Sequence, residues 1–498
     1  MATSPRATTP SATPEPGEPN EGRLARMALR FTAFTEKWLP DAFGFVLVGT
    51  VLILLLGLAT REPLFGYAPD PAKKAGMGLV DAWGTGFWDL IAFTLQMAMI
   101  IIGGYAVAVS APMARLITRL ALLPKSPRGA VVFIAAVAMI SSYLNWAFSL
   151  VFTAILAKEV ARVVPRADYR ALGAMAFLGL GTVWAQGFSG SAALQVASKS
   201  SSPQAVQDVI KASGAYPDGI IPLSGTILTW RAIAATLVVF TVAIVMAWFI
   251  APRGEQSKSA ADLGITLKPL LDTEPEPDPH GLPAKRPGDI LENTPWMMLV
   301  IVLLGAVAIG RLFAKSSNWI LALDLNMVNL ILLMLAAVLH WHPARLVRAV
   351  TDGSKAASGV LLQFPFYGGI FGMIAYTGLS KTIAGWLTQL SNQFFYPALI
   401  ALYSCVLGIF VPSGGSKWVI EAPYVITAGN ALHVDPGWLV VVYDLGEASA
   451  NLLQPFWMLP TLAVLGLKAK DIMGYTFAMF LACFPAALIA VTLLAPHL

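Results

Sequence analysis

Long apolar runs alternate with short polar or basic loops, and the length of each run predicts what it forms. A helix that crosses a bilayer needs roughly 20 apolar residues. By that measure spans are expected at about 40–59, 88–110, 171–199, 223–251, 295–313, 326–343, 357–378, 438–467 and 472–494. Two runs fit no single crossing. Residues 129–157 run 29 residues without a charge, and 397–429 run 33 residues with charge only at Lys417 and Glu421. Each is long for one crossing, short for two, and polar in its middle. Both read as re-entrant helical hairpins with arms of about 14 residues, or about 21 Å of helix.

The polar interruptions repeat. Ser141-Ser142-Tyr143-Leu144-Asn145-Trp146 breaks the first run, and Ser413-Gly414-Gly415-Ser416-Lys417-Trp418 breaks the second with the same spacing from Ser to Trp. Downstream, Gly187 is followed by Leu194-Gln195 and Gly446 by Leu453-Gln454, again at equal spacing. Non-helical backbone at membrane depth survives only where it is buried in protein or lines a cavity. Paired interruptions in two halves are the sequence mark of a transporter's binding site. The fold class expected is an all-α polytopic membrane protein of two inverted-topology repeats. Each repeat would hold one re-entrant hairpin and one broken transmembrane helix, with about nine full spans and two hairpins in all.

Composition and charge set the frame. The chain of 498 residues is 57% apolar and 12% charged, with a mean hydropathy of +0.69, which a soluble protein of this size does not reach. The net charge of +5 sits in short loops, so it reads as positive-inside bias and not as nucleic-acid binding. Residues 1–22, rich in Pro, Thr, Ser and Glu, read as a disordered tail and not as a signal sequence. Residues 23–252 form the first repeat, with its hairpin at 129–157 and broken helix at 171–199. A charged, proline-rich linker follows at 253–293. A connecting span at 294–325 carries the chain across, and 326–498 form the second, inverted repeat, with its hairpin at 397–429 and broken helix at 438–467.

Basic clusters orient these pieces. Arg23, Arg26, Arg30 and Lys37 put the N-terminus in the cytoplasm of a bacterial inner membrane. Arg115, Arg119, Lys125 and Arg128 before the first hairpin, with Lys158, Arg162, Arg166 and Arg170 after it, put both its ends on the same side. Arg61, Lys73, Lys74 and Lys381 run against the rule. Cys405 and Cys483 lie in apolar segments and read as packing residues. The five histidines show no metal-ligand spacing, and no cofactor is expected.

The candidate chemistry lies at the interruptions. Ser141, Ser142 and Asn145 at the first tip offer hydroxyl and amide oxygens plus carbonyls freed by the break, a donor set for a hard cation such as sodium. At the second tip, Pro412, Gly414 and Gly415 stop a helix. A new helix starting near Ser416 would present free N–H groups to a carboxylate. Lys417 adds a charge that is costly at mid-membrane and rarely idle there. Glu421, four residues on, is its obvious partner. Lys417 aligns with Asn145 in the repeat, which would put its ammonium where a second cation stands. In the third pair, Gly187, Ser189 and Ser191 face Gly446, Glu447, Ser449 and Asn451, expected as unwound helix opposite each tip. An intramembrane carboxylate is functional by default, so Glu447 belongs to the site, and Glu421 or Glu447 is a candidate proton carrier. The substrate set is thus Ser413, Gly414, Gly415, Ser416, Lys417 and Trp418, with Ser142, Asn145, Ser449 and Asn451. The ion-coupling set is Ser141, Asn145, Gly187, Ser189, Ser191, Glu421 and Glu447. Nearby Trp or Phe side chains would meet an apolar end of the substrate.

With these residues placed, the chain resembles the short-chain fatty acid transporter family of the ion transporter superfamily. The resemblance covers roughly residues 22–498. It rests on Ser142-Tyr143-Leu144-Asn145-Trp146, on Gly187-Phe188-Ser189-Gly190-Ser191, on the run from Pro412 through Lys417-Trp418 and Glu421-Ala422-Pro423, and on Gln454-Pro455-Phe456-Trp457. It implies uptake of short-chain monocarboxylates such as acetoacetate and butyrate, coupled to a sodium or proton gradient. It also implies a homodimer. A carrier for another small organic anion, such as a dicarboxylate or amino acid derivative, remains an alternative, as do a channel and a membrane enzyme.

Overall fold

In the computed structural model, the described residues are 42–67, 74, 76–252, 257–270, 288, 294–315, 323–411 and 413–496. The proposed tail at 1–22, the basic residues from Arg23 to Lys37, Pro412 and most of the linker lie outside them. Nineteen α-helices and no strands occur among the described residues. Six of the helices are long and apolar enough to cross a membrane, by length and composition.

The first half begins with α1 (Ala42–Ala59), α2 (Leu79–Asp89), α3 (Ile91–Ala108) and α4 (Ala111–Leu120). The first hairpin is α5 (Pro127–Leu144) and α6 (Trp146–Val163). Ser126 caps α5, its hydroxyl accepting from Gly129 N at 3.1 Å, and Pro127 occupies the position where a missing N–H costs nothing. Next come α7 (Tyr169–Phe177), an irregular stretch, α8 (Ser191–Val196), α9 (Gln204–Ala212) and α10 (Trp230–Ile250). Then follows α11 (Pro295–Lys315), in which only Met298 and Gly305 are buried.

The second half runs through α12 (Leu325–His340), α13 (Pro343–Ala375) and α14 (Leu379–Leu390). Its hairpin is α15 (Tyr396–Phe410) and α16 (Gly414–Ala431). The chain ends with α17 (Pro436–Ala450), α18 (Leu459–Leu465) and α19 (Ala469–Leu493). Over the two runs read as hairpins the chain forms helix pairs, with arms of 18 and 18 residues and of 15 and 18 residues, longer than the sequence predicts. The span expected at 357–378 is the end of α13, a single helix of 33 residues.

Three packings position the site. Helix α13 lies along α2 and α3, and glycines allow the approach: a Cβ on Gly86 would stand 2.3 Å from Gly368 O, and one on Gly372 2.0 Å from Ala82 O. Helix α10 packs on α19, each also touching the first arm of a hairpin, α5 and α15 respectively. The second arms α6 and α16 pack on α18 and α9.

Part of the linker is built into the fold. Residues 257–270 form a strap across the base of the first hairpin. Leu270 N donates to the buried carboxylate of Glu159 at 2.6 Å, and Lys258 N to Asp168 Oδ2 at 2.9 Å. Tyr169 N returns a bond to Lys258 O at 2.8 Å. Asp168 also pairs with Arg170 at 2.8 Å and accepts from Tyr475 Oη of α19 at 3.3 Å. The strap thereby ties α6, α7 and α19 together.

Candidate functional site

The first tip is a one-residue turn. Asn145 ends α5 and caps α6, its Oδ1 accepting from Phe148 N at 2.8 Å, while its Nδ2 is buried without a partner. Side-chain oxygens behind the tip form a neutral network. Ser141 Oγ donates to Val137 O at 2.6 Å and meets Ser149 Oγ at 2.9 Å. Ser149 Oγ reaches Ala138 O at 3.0 Å, and Thr153 Oγ1 reaches both Ser149 O and Ala176 O. The broken helix closes on this tip. Trp146 N donates to Ser189 Oγ at 3.0 Å, and Phe188 N donates to Tyr143 O at 2.8 Å. Gly187 permits that approach, since a Cβ there would stand 2.1 Å from Tyr143 O.

At the second tip α16 begins at Gly414, earlier than the sequence predicts, with Ser413 at the N-cap. The Ser413 hydroxyl makes no capping bond; it meets Ser416 Oγ at 2.5 Å. Among the described residues the Gly414 and Gly415 amides meet no acceptor, as the first turn of an α-helix leaves them. Behind the tip lies an ionic cluster. Lys417 Nζ donates to Ser404 O at 2.9 Å and to Ser404 Oγ at 2.7 Å. It pairs with Glu447 Oε2 at 2.8 Å and Glu421 Oε1 at 3.2 Å, and lies 4.4 Å from the centre of the Tyr443 ring. Lys417 and Glu421 are 0% exposed and Glu447 is 1% exposed, so the three are wholly withdrawn from solvent.

Between the two tips is a small, tight cavity. Ser413, Gly414 and Gly415 of the second tip line it, with Ser191 at the start of α8 and Asn451 at the end of α17. Trp146, Trp184, Trp457 and Phe364 form aromatic walls, and Met97, Ile101 and Val360 of α3 and α13 close the far side. Trp146 makes edge contacts with Trp184 at 6.0 Å and with Trp457 at 5.1 Å between ring centroids. Asn451 is held by Leu180 O, to which its Nδ2 donates at 3.1 Å, and by Gln454, whose Nε2 donates to Asn451 Oδ1 at 2.6 Å.

Five of the sequence-predicted residues thus meet at the cavity: Ser191, Ser413, Gly414, Gly415 and Asn451. The others stand elsewhere. Lys417 does not face the cavity, because its ammonium is consumed by Ser404, Glu421 and Glu447. Trp418 is buried against Tyr443, with ring centroids 4.8 Å apart. Ser142 packs against Gly179, Asn145 against Gly104 of α3, and Ser449 Oγ bonds back to Leu445 O at 2.8 Å. Ser141, Gly187 and Ser189 brace the first tip, and Ser416 braces Ser413.

Two expectations change. Gly446 to Ala450 are helical, and the second break begins at Asn451; Gly446 serves packing, since a Cβ there would stand 2.3 Å from Ala401 O. The alignment of Lys417 with Asn145 is also shifted. The equivalent N-caps are Asn145 and Ser413, so the residue in the place of Lys417 is Ser149, four after the cap in both helices. Sequence reasoning missed Trp184 and Phe364, because aromatic residues in apolar spans carry no local mark of what they face.

A multi-pass helical bundle whose helix ends and breaks converge on a small, aromatic-walled cavity defines a membrane transporter. Residues 23–494 match the family described as short chain fatty acid transporter, and the chain belongs to that family. It is 33% identical over 463 residues to a protein of Escherichia coli (strain K12), covering 92% of this chain and 97% of that one. It is 32% identical over 468 residues to one of Haemophilus influenzae, covering 94% and 99%. Both relatives are provisionally named short-chain fatty acid transporters. Among solved structures, the fold is similar to MtrF of Neisseria gonorrhoeae, described as illuminating a class of antimetabolite efflux pumps. The TM-score is 0.57 at 16% identity over 94% of this chain and 96% of that one. It is equally similar to the YdaH transporter of Alcanivorax borkumensis, with a TM-score of 0.57 at 16% identity over 92% and 100%. The chain is a transporter and not an enzyme.

Proposed function

We propose that the protein is a secondary active transporter that takes up short-chain monocarboxylates, such as butyrate and acetoacetate, with a sodium or proton gradient. The observation that carries this reading is the cavity between the tips. One wall offers the free first-turn amides of α16 at Gly414 and Gly415, which with the helix dipole suit a single carboxylate. Trp146, Trp184, Trp457 and Phe364 offer the apolar surface that a short alkyl chain wants. No basic side chain lines the cavity among the described residues, which favours a monocarboxylate over a dicarboxylate.

The coupling ion would use the first tip, through Ser141, Ser142 and Asn145 with Gly187, Ser189 and Ser191. The unpartnered hydroxyls of Ser142 and Ser191 support that assignment, because buried polar groups are normally satisfied. Glu421 and Glu447 would carry a proton if that is the ion used. No organic cofactor is needed. The two halves would be inverted-topology repeats whose hairpins are re-entrant. This is supported by the matched order of helix, hairpin, broken helix and helix, and by the reciprocal packing of α10 on α19 and of α13 on α2 and α3. The weakly buried α11 would be the connecting span. The protein would work as a homodimer in the bacterial inner membrane with its N-terminus in the cytoplasm.

The test is uptake of labelled butyrate and acetoacetate into proteoliposomes, with a sodium or a proton gradient imposed separately. Accumulation with one of the two is expected. Uptake of neither anion under either gradient would remove the substrate assignment.

A further inference from the structure

We propose that the second hairpin contains a monovalent-cation site which the chain fills with its own Lys417 ammonium, and that removing that side chain opens the site to a free alkali-metal or ammonium ion. The shell around Nζ is a cation's donor set: a backbone carbonyl and a hydroxyl, both from Ser404, at 2.9 and 2.7 Å, and carboxylate oxygens of Glu447 and Glu421 at 2.8 and 3.2 Å. The face of Tyr443 closes one side at 4.4 Å, in the geometry by which an aromatic ring attracts a cation. Oxygen ligands of this mixture are what hard cations select, and an ammonium is close to potassium in size.

The register of the two hairpins supports the same reading. Lys417 and Ser149 both lie four residues after their N-caps, and both reach across to a first-arm backbone carbonyl, Ser404 O and Ala138 O respectively. In the first hairpin the groups at this level are the hydroxyls of Ser141, Ser149 and Thr153, all neutral. Only the second hairpin surrounds the position with charge. Glu421, Glu447 and Asp444 are all buried there, three carboxyl groups against one ammonium, and Asp444 Oδ2 has no partner. A cluster of that composition requires a cation to remain buried. In the native protein the cation is covalent, so this hairpin draws no metal ion from solution, and any transported metal ion binds elsewhere. The inference stands apart from the identity of the carried anion.

The test uses thermal unfolding of the purified full chain in detergent, at constant ionic strength, in choline, sodium, potassium, ammonium or methylammonium chloride. The melting temperature of the native protein is expected to be the same in all five. That of Lys417→Ala is expected to be lowest in choline and to rise saturably, by several degrees, in potassium, ammonium or methylammonium. Lys417→Ala/Glu447→Gln, which lacks both the ammonium and one charged ligand, is expected to lose that rise. An equal cation response in the native protein would overturn the proposal. So would a Lys417→Ala protein indifferent to the cation, or one that cannot be recovered folded in any of them.

Discussion

The two hairpins share a geometry and differ in electrostatics. In the first, α5 turns into α6 at Asn145, and hydroxyls that need no counter-charge stitch the arms together. In the second, α15 and α16 are held through an ammonium and two carboxylates sealed from solvent. A neutral hydroxyl network costs little to bury and leaves lone pairs free for a ligand. A buried ion cluster is tolerated only when complete, and it penalises the loss of any member. The first hairpin therefore keeps neutral oxygens with lone pairs to spare, and the second a closed set of charges.

The largest expected effect comes from Lys417→Met, which fills the space without supplying charge. It should cost about 3–5 kcal/mol, seen as a lowered melting temperature that potassium does not restore, whereas the shorter alanine leaves room for the ion. Next is Gly414→Val. A Cβ at Gly414 already stands 2.7 Å from Trp184 Cη2, so the larger side chain should close the cavity. Uptake should fall at least about tenfold, or about 1.4 kcal/mol, and the melting temperature should fall as well, because overpacking a buried site costs about 1–3 kcal/mol.

Third, Trp457→Ala should weaken longer anions more than shorter ones. Each buried methylene is worth about 0.8 kcal/mol, so a KM series from acetate to butyrate should flatten in the variant. A uniform change along the series would break the assignment of Trp457 to the alkyl end. The smallest effect belongs to Ser149→Ala, at about 1 kcal/mol, because Ser141 keeps its bond to Val137 O. If the first tip holds the coupling ion, this substitution should shift the half-saturating ion concentration, while Ser404→Ala should leave it unmoved.

The tips were legible because serine, asparagine, glycine and lysine are out of place in an apolar run. The break at Gly187 to Ser191 was legible for the same reason. Gly446 misled because glycine reads alike whether it ends a helix or lets two helices touch; Pro455, just past Asn451, marks the true interruption. The direction of Lys417 was not readable, since it depends on where α16 begins. A start at Gly414 rather than Ser416 turns the side chain by two residues of helix, about 200°, away from the cavity and toward Ser404. The aromatic walls were hidden because Trp184 and Phe364 come from segments far apart in sequence.

The strap at 257–270 has a consequence for how the chain divides. Its amides bond Glu159 of α6 and Asp168 at the start of α7, so dividing the chain straight after α10 would part these residues from their partners. A cut before Ser257 would strip the Leu270 and Lys258 amides from the two acids, leaving Glu159 to Arg162 and Asp168 to Arg170, Ala171 and Tyr475.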